Sequence, residues 1–186
     1  KKKKKSDGSK VFIGGYVNAS ATNRVFQYSL STAWDISTAS YDSVDFSFAS
    51  QISSLQDLKF KPDGTKMYGV QYDGSGNEVV YQYALSTGYD LSTASYDSKS
   101  LTLGANEVYI VFNSDGTKLF TGNFSEVVTE YSLSSAYDVS TGSATGTTAS
   151  LASQLSSLTG IELKDDDTVL YAQGQDTDTI FQYSLP

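Results

Sequence analysis

Residues 62–68 read Pro-Asp-Gly-Thr-Lys-Met-Tyr, and close variants of this phrase begin at positions 6, 114 and 165. The Asp at the second position of the phrase recurs after 56, 52 and 51 residues. A regular period of this length is typical of tandem repeat proteins, in which neighbouring units bury a core that one unit cannot close alone. The sequence therefore predicts a tandem array.

A second phrase supports the same period. Residues 25–42 match residues 80–97 almost position for position, residues 129–141 are a third copy, and residues 180–185 begin a fourth. The two phrases together divide the chain into repeats at approximately 6–54, 55–104, 105–156 and 157–186.

A full repeat contains four short runs in which β-branched and aromatic residues alternate with polar ones, a pattern typical of strands. In the second repeat these runs are 55–61, 66–72, 79–85 and 98–103. Asp63-Gly64 is predicted to close the first hairpin, because glycine supplies the positive φ of a tight turn. Asp167 stands at the position of Gly64 and is expected to adopt the same left-handed backbone, which Asp tolerates. The sequence thus predicts an all-β fold of four-stranded antiparallel repeats of about 52 residues.

The Asp-Gly-Thr-Lys-apolar-Tyr phrase, followed by a Val-Tyr-Gln-Tyr strand, resembles the YVTN and lactonase-like β-propeller repeats. The resemblance is to the Ser/Thr-rich Tyr-Gln-Tyr-Ser-Leu-Ser-Thr type seen in bacterial surface and phage-associated proteins, and it covers residues 6–185. It implies β-propeller blades, about four of them, with the last one incomplete. Propellers host enzymes, lectins and scaffolds alike, so the resemblance is informative about fold rather than activity.

The first five residues are all lysine and do not fit the repeat. Aligned on the turn, Lys2 takes the position of Leu58 and Lys4 that of Phe60, where the other repeats are apolar. Burying unpaired ammonium groups there would be costly. Residues 1–5 are therefore predicted to be a tag, a placeholder or a disordered arm, with a basic arm for a membrane surface or nucleic acid as the alternative.

The last repeat supplies three strands and no fourth one. Its third strand is therefore predicted to be an open edge, and such an edge can template pairing with another chain. The predicted assembly edge consists of Thr179, Ile180, Phe181, Gln182, Tyr183, Ser184 and Leu185. The partner expected there is a second copy, giving a homo-oligomer or a polymer by strand addition, although a longer propeller or a larger two-copy ring is also open.

Composition narrows the function classes. The net charge is −8, and without the leading lysines 8 basic residues face 21 acidic ones, so nucleic acid is not an expected partner. No apolar run is long enough for a membrane span. Histidine is absent, which removes the commonest general base and the usual nucleophile pairs and zinc sites. Asp35, Asp90 and Asp138 follow an aromatic residue in three repeats and are predicted to cap turns rather than to catalyse.

Two binding sites are candidates. Asp73, Asn77 and Glu78 lie in a Gly-rich loop with enough oxygen atoms for a hard cation such as Ca²⁺, although such a hairpin uses these residue types anyway. Exposed tyrosines beside Ser and Thr are also compatible with a glycan-binding surface. A binder is expected to line a pocket with residues that differ between repeats, such as Arg24, Gln71 and Glu130.

The function that the sequence favours is a non-enzymatic structural or adhesive β-propeller subunit of an extracellular, cell-surface or virion assembly, such as a filament, fibre or surface layer. It would self-associate through the incomplete blade and need no cofactor. The alternative is a glycan- or calcium-binding propeller module, and a lactonase-type hydrolase ranks third.

Overall fold

The computed structural model describes residues 2–16, 23–175 and 179–185 of the chain. Within this part the backbone forms fifteen strands and three single-turn 3₁₀ helices. The 3₁₀ turns are Ile36–Thr38, Leu91–Thr93 and Val139–Thr141. The strands are β1 Lys2–Lys4, β2 Lys10–Tyr16, β3 Asn23–Leu30, β4 Ala39–Ser47, β5 Leu55–Phe60, β6 Lys66–Gln71, β7 Val79–Leu85, β8 Ala94–Thr102, β9 Glu107–Phe112, β10 Lys118–Asn123, β11 Val127–Leu133, β12 Gly142–Ser150, β13 Leu158–Leu163, β14 Val169–Gly174 and β15 Ile180–Ser184.

The described strands form four antiparallel sheets in which sequence neighbours pair. The orders are β1-β2-β3-β4, β5-β6-β7-β8, β9-β10-β11-β12 and, with three strands, β13-β14-β15. The predicted all-β class is therefore confirmed, with one sheet for each repeat. In the second repeat the fourth strand begins earlier than predicted, at Ala94 instead of Ser98, and Ser98 lies inside the strand with a φ of 55°.

The lysine run is part of the first sheet. Lys2 pairs with Ile13 and Lys4 pairs with Val11 on β2, which is the register that Leu58 and Phe60 have on β6. The backbone of Lys2–Lys4 is therefore a strand, and it differs from the disordered arm that the sequence offered as one interpretation. The aligned Leu58 is fully buried, so the first sheet places lysine at a position that is core elsewhere.

The repeated Asp-Gly turn joins the first two strands of each sheet. In the second repeat Asp63 Oδ1 accepts hydrogen bonds from the backbone nitrogen of Thr65 at 2.9 Å and from its Oγ1 at 2.6 Å. Gly64 follows with a φ of 73°, and Asp167 adopts 60° at the matching position, as predicted. The Asx-type bonds explain why the phrase keeps Asp before Gly and Ser or Thr after it.

A second turn joins the third and fourth strands. Asp90 Oδ1 accepts from the backbone nitrogen of Ser92 at 3.0 Å, and Asp35 and Asp138 do the same in their repeats. The prediction that these residues cap turns is confirmed. The preceding Tyr89 has a φ of 61°, and its hydroxyl donates to the carbonyl of Pro62 at 2.7 Å, which ties this turn to the Asp-Gly turn of its own repeat.

The chain divides into two compact units. Unit 1 contains residues 1–72 and 80–99, and unit 2 contains residues 73–79 and 100–186. The core of unit 1 is a cluster of Phe12, Val25, Phe48, Ile52, Leu55, Leu58, Met67, Tyr83, Leu85, Tyr89 and Leu91. These side chains come from the first and second repeats, as expected for repeats that bury a core only by packing on a neighbour.

Candidate functional site

The edge strand β15 is the first candidate site. It pairs with β14 on one side, from Gln173–Ile180 to Val169–Ser184, and has no strand on its other side within the described residues. Ile180 is 68% exposed, which is the highest value among the exposed large hydrophobic side chains of the described residues. The predicted assembly edge is therefore a strand, and whether it serves assembly stays a prediction.

Backbone alternation fixes which groups of β15 point outward. The Leu185 nitrogen donates to the carbonyl of Thr168 at 2.8 Å, so Leu185 faces the hairpin partner. In an antiparallel strand the N–H and C=O groups of alternate residues point to opposite sides. The backbone groups of Gln182 and Ser184 consequently point away from β14, where a further strand would bind them.

A cavity of about 380 Å³ lies beside this edge in unit 2. Its apolar wall comes from the third and fourth repeats, and its polar rim contains Lys118, Glu130 and Asp167. The apolar lining residues are Phe120, Val128, Leu151, Leu170, Tyr183 and Leu185. Glu130, which differs between the repeats, lies at this cavity.

The charged side chains at the rim of the cavity form hydrogen bonds and an ion pair with neighbouring residues of unit 2. Lys118 Nζ lies 2.9 Å from Glu130 Oε2. The Asp167 carboxylate accepts from the backbone nitrogen of Ser114 at 2.9 Å and from its Oγ at 2.6 Å. Burial raises the pKa of Tyr183 at the apolar wall. The rim therefore offers hydrogen-bonding groups of both signs around an apolar centre, which is the usual composition of a binding pocket.

The candidate cation loop is held by its own hydrogen bonds. Asp73 Oδ1 accepts from the backbone nitrogen of Ser75 at 2.8 Å, and the amide of Asn77 donates to Ser75 Oγ at 3.4 Å. Glu78 is fully buried, and its Oε2 accepts from the backbone nitrogen of Asn106 at 2.7 Å. Among the described residues, no group of three or more His, Cys, Asp or Glu side chains is arranged to hold a metal ion.

Glu78 is one of three side chains that make the same kind of hydrogen bond to the following repeat, and the sequence analysis did not predict these bonds. Asn23, Glu78 and Glu126 occupy one repeat position, at the start of the third strand. Their side chains accept from the backbone nitrogens of Leu55, Asn106 and Ser157 at 3.0, 2.7 and 2.7 Å. Each acceptor thus binds the segment that opens the following repeat. The position is hard to recognise in the sequence because the residue changes from Asn to Glu. Its fixed offset from the Tyr-Gln-Tyr phrase would nevertheless have identified it.

The other two residues that differ between repeats, Arg24 and Gln71, lie outside the cavity of unit 2. Arg24 forms an ion pair with Asp45, and Gln71 Oε1 accepts from the backbone nitrogen of Ser53 at 3.4 Å. Neither of them lines the cavity in unit 2. They therefore do not join Glu130 in one site.

The most strongly shifted carboxylates belong to the Asp-Gly turns. Partial burial raises the pKa of Asp63, but the hydrogen bonds from Lys61 and Thr65 outweigh this effect and lower the pKa to about 2. Hydrogen bonds from Lys164 and Thr168 lower the pKa of Asp166 to about 2. Both groups are ionised turn acceptors at neutral pH, and this is a structural role.

A buried polar pair lies in unit 2. Glu107 is 5% exposed, and its Oε2 accepts from the Tyr131 hydroxyl at 2.7 Å and from the backbone nitrogen of Gly104 at 2.9 Å. Burial raises the pKa of Tyr131, and the hydrogen bond to Glu107 raises it further. The carboxylate is thereby satisfied internally and ties the start of β9 to β11.

Comparison with known proteins gives likeness of fold. No protein-family model and no curated protein sequence matches the chain. The Kuenenia stuttgartiensis hydrazine synthase structure is 12% identical over 98% of this chain and 57% of its own, with a TM-score of 0.60. A protein of unknown function from Desulfotomaculum acetoxidans is 11% identical over 100% of this chain and 65% of its own, with a TM-score of 0.61.

A 6-phosphogluconolactonase candidate from Bacteroides uniformis is 15% identical over 97% of this chain and 52% of its own, with a TM-score of 0.61. The chain thus spans less than two thirds of the length of each of these structures. At such identities the likeness shows a shared fold and carries no activity to this chain. None of the helices in the described residues is long and apolar enough to cross a membrane.

Proposed function

We propose that the four sheets are β-propeller blades and that the protein is a non-enzymatic structural or adhesive subunit of an extracellular, cell-surface or virion assembly. In this proposal copies associate by adding a strand to β15. The observation that supports it is the outer side of β15, where the backbone groups of Gln182 and Ser184 have no strand beside them within the described residues.

The exposure of the edge supports strand addition. The side chains of β15 alternate between exposed and half-buried from Ile180 to Ser184, and the outermost β12 of the neighbouring sheet is exposed along almost its whole length. An edge with Ile, Phe and Tyr carries the residue types that favour strand pairing, and its outward backbone groups at Gln182 and Ser184 gain partners when a strand is added.

The test is the mass of the protein in solution, by light scattering over a concentration series, with electron microscopy of the same samples. We expect oligomers or fibres for the unaltered chain. Gln182→Pro removes an outward N–H and leaves the β14 ladder intact, so it is expected to give monomers. Phe124→Pro, in the turn before β11, is the control that leaves the edge unchanged. A monomeric unaltered chain contradicts the proposal, and so does assembly of Gln182→Pro at the unaltered strength.

A second candidate function is binding of a glycan or another small polar ligand in the cavity. Glu130 favours it, because this residue differs between repeats and lies at the rim with Lys118. Glycan array screening with Glu130→Gln as the matched control tests it. Saturable binding that weakens in this variant supports the ligand, and no binding above background contradicts it.

A further inference from the structure

Glu107 is a buried carboxylate at a position that is apolar in two other repeats. It begins β9, just as Leu55 and Leu158 begin β5 and β13, and each of the three pairs with the last residue of the following strand. All three side chains are buried. The linker that precedes Glu107 is also three residues shorter than the linker that precedes Leu55. The junction between the second and third repeats therefore has a local structure of its own.

The short linker forms a turn that holds a second buried carboxylate. The Glu107 nitrogen donates to the carbonyl of Gly104 at 3.2 Å, and Asn106 within the turn has a φ of 60°. Glu107 Oε2 accepts from the backbone nitrogen of Gly104 at 2.9 Å. Glu78 Oε2 accepts from the backbone nitrogen of Asn106 at 2.7 Å, and Glu78 is fully buried. Two buried carboxylates thus lie against one four-residue turn.

The two carboxylates have no basic side chain beside them. Within the described residues neither Glu78 nor Glu107 forms an ion pair. Their hydrogen bonds come from backbone N–H groups and from the hydroxyl of Tyr131, which are all neutral donors. Buried charges are costly unless they are paired or bind a metal ion. A positive charge is therefore expected at this turn.

One oxygen of Glu78 has no partner. Its Oε1 is buried and lacks a hydrogen-bond donor within the described part of the chain. Asn23 occupies the same position in the first repeat, where its Oδ1 accepts from the nitrogen of Leu55 and its Nδ2 donates to the carbonyl of Ile52 at 2.9 Å. The second repeat therefore has an acceptor where the first has a donor. A buried acceptor of this kind requires a ligand that supplies a proton or a positive charge.

We propose that Glu78 Oε1 binds a divalent cation and that this cation is Ca²⁺. Glu78 is the direct ligand, and Glu107 supplies the second negative charge that balances the ion. The chain has no His or Cys, so the site has only oxygen ligands, which hard cations prefer. Backbone carbonyls and water complete a Ca²⁺ shell without a third acidic side chain, whereas Mg²⁺ gives up its own water reluctantly. This site goes beyond the proposed function and does not use Asp73 or Asn77.

A calorimetric titration of the chelator-treated full chain with CaCl₂ tests the site. We expect one saturable site with a dissociation constant of about 10⁻⁴ to 10⁻³ M, because only one carboxylate binds the ion directly. The thermal midpoint is expected to be higher in CaCl₂ than in EDTA, and higher than in MgCl₂ or NaCl of equal ionic strength. Absence of a saturable site overturns the inference. An equal midpoint in the three salts also overturns it, because the effect would then be screening of the acidic surface.

Glu78→Gln is the decisive variant, because glutamine keeps the acceptor for Asn106 and places a donor where Oε1 lies. It is expected to bind Ca²⁺ about tenfold or more weakly and to melt at a higher temperature than the unaltered chain in EDTA. Glu126→Gln is the matched control, since half-buried Glu126 takes the same repeat position and accepts from Ser157. It is expected to keep the affinity. Unchanged affinity in Glu78→Gln overturns the inference, and so does an equal loss in both variants.

Two further variants keep the test sharp. Should Glu78→Gln fail to fold, Glu107→Gln removes the second charge and keeps an acceptor for Tyr131, and unchanged Ca²⁺ affinity in it overturns the inference. Asp73→Asn is expected to bind Ca²⁺ as the unaltered chain does. Loss of binding in Asp73→Asn but not in Glu78→Gln assigns the ion to the exposed loop and overturns the buried site. Ca²⁺ binding by a protein that stays monomeric supports the site while contradicting assembly through β15.

Discussion

The aromatic ring of Tyr89 lies directly against Gly64, in the space that a Cβ atom on Gly64 would occupy. Tyr137 covers Gly116 and Trp34 covers Gly8 in the same way. The two phrases that define the repeat are therefore in contact, and this explains why they recur together. The glycine is required both for its φ of 73° and for the room that it leaves to the ring.

Gly64→Ala is expected to destabilise the protein strongly. The left-handed backbone costs about 1–2 kcal/mol for a residue with a Cβ, and displacing the Tyr89 ring adds about 1–3 kcal/mol of overpacking. Urea unfolding at pH 7 measures the total. Gly146→Ala is the matched control, since Gly146 has a φ of 82° and nothing within 4 Å of the added Cβ. Equal losses for the two variants contradict a role for the ring contact.

Local sequence patterns predict most of the fold. The period, the Asp-Gly turns and the capping Asp residues lie in local phrases whose geometry follows from backbone preferences, so the sheets and both turns were predictable from particular residues. Ser98 shows the limit of this reasoning, because it adopts a φ of 55° within β8 and serine does not favour the left-handed region.

The candidate site was predictable only in part. The edge at Ile180–Ser184 follows from counting strands, whereas the cavity depends on which side chains meet in space. Glu130 could be marked as unusual because it replaces Gln27 and Gln82, but its neighbours Asp167 and Leu185 are far away in sequence. The strand Lys2–Lys4 was not predictable from the side-chain pattern, because it is held to β2 by backbone pairing.

Asn23→Ala is expected to cost about 2–4 kcal/mol, because it leaves two buried backbone groups without partners. Asn23 is 1% exposed, its Nδ2 donates to the carbonyl of Ile52 at 2.9 Å, and its Oδ1 accepts from the nitrogen of Leu55 at 3.0 Å. Chemical denaturation measures the loss. Asn77→Ala, at an exposed loop position, is expected to stay within about 0.5 kcal/mol of the unaltered protein. Comparable values for the two variants would mean that the hydrogen bonds of Asn23 to Ile52 and Leu55 contribute no stability.

Tyr131 is expected to make the free energy of unfolding fall as the pH rises in the alkaline range. Burial and the bond to Glu107 raise the pKa of this phenol in the folded state, so the folded protein holds the proton to higher pH than the unfolded chain. The contribution is complete below the unfolded value of about 10 and declines as the pH rises above it. Tyr131→Phe is expected to flatten this decline above about pH 10 in urea midpoints, because Phe carries no proton to lose. Tyr96→Phe, at an exposed position, is the control, and an equal slope in all three proteins contradicts the assignment.

Asp63 is expected to titrate near pH 2 in the folded protein, and carboxyl carbon NMR shifts over a pH series measure this directly. Its folded pKa lies below the unfolded value, so its stabilising contribution is present above about pH 4 and is lost as the pH falls through the folded value. Lys61→Met removes the Nζ donor at 2.7 Å and is expected to raise the pKa of Asp63 while leaving Asp166 unchanged. Lys164→Met is the reciprocal control, since it removes the donor to Asp166 alone. If either variant moves both carboxyl titrations equally, the shifts come from net charge rather than from the turn bonds.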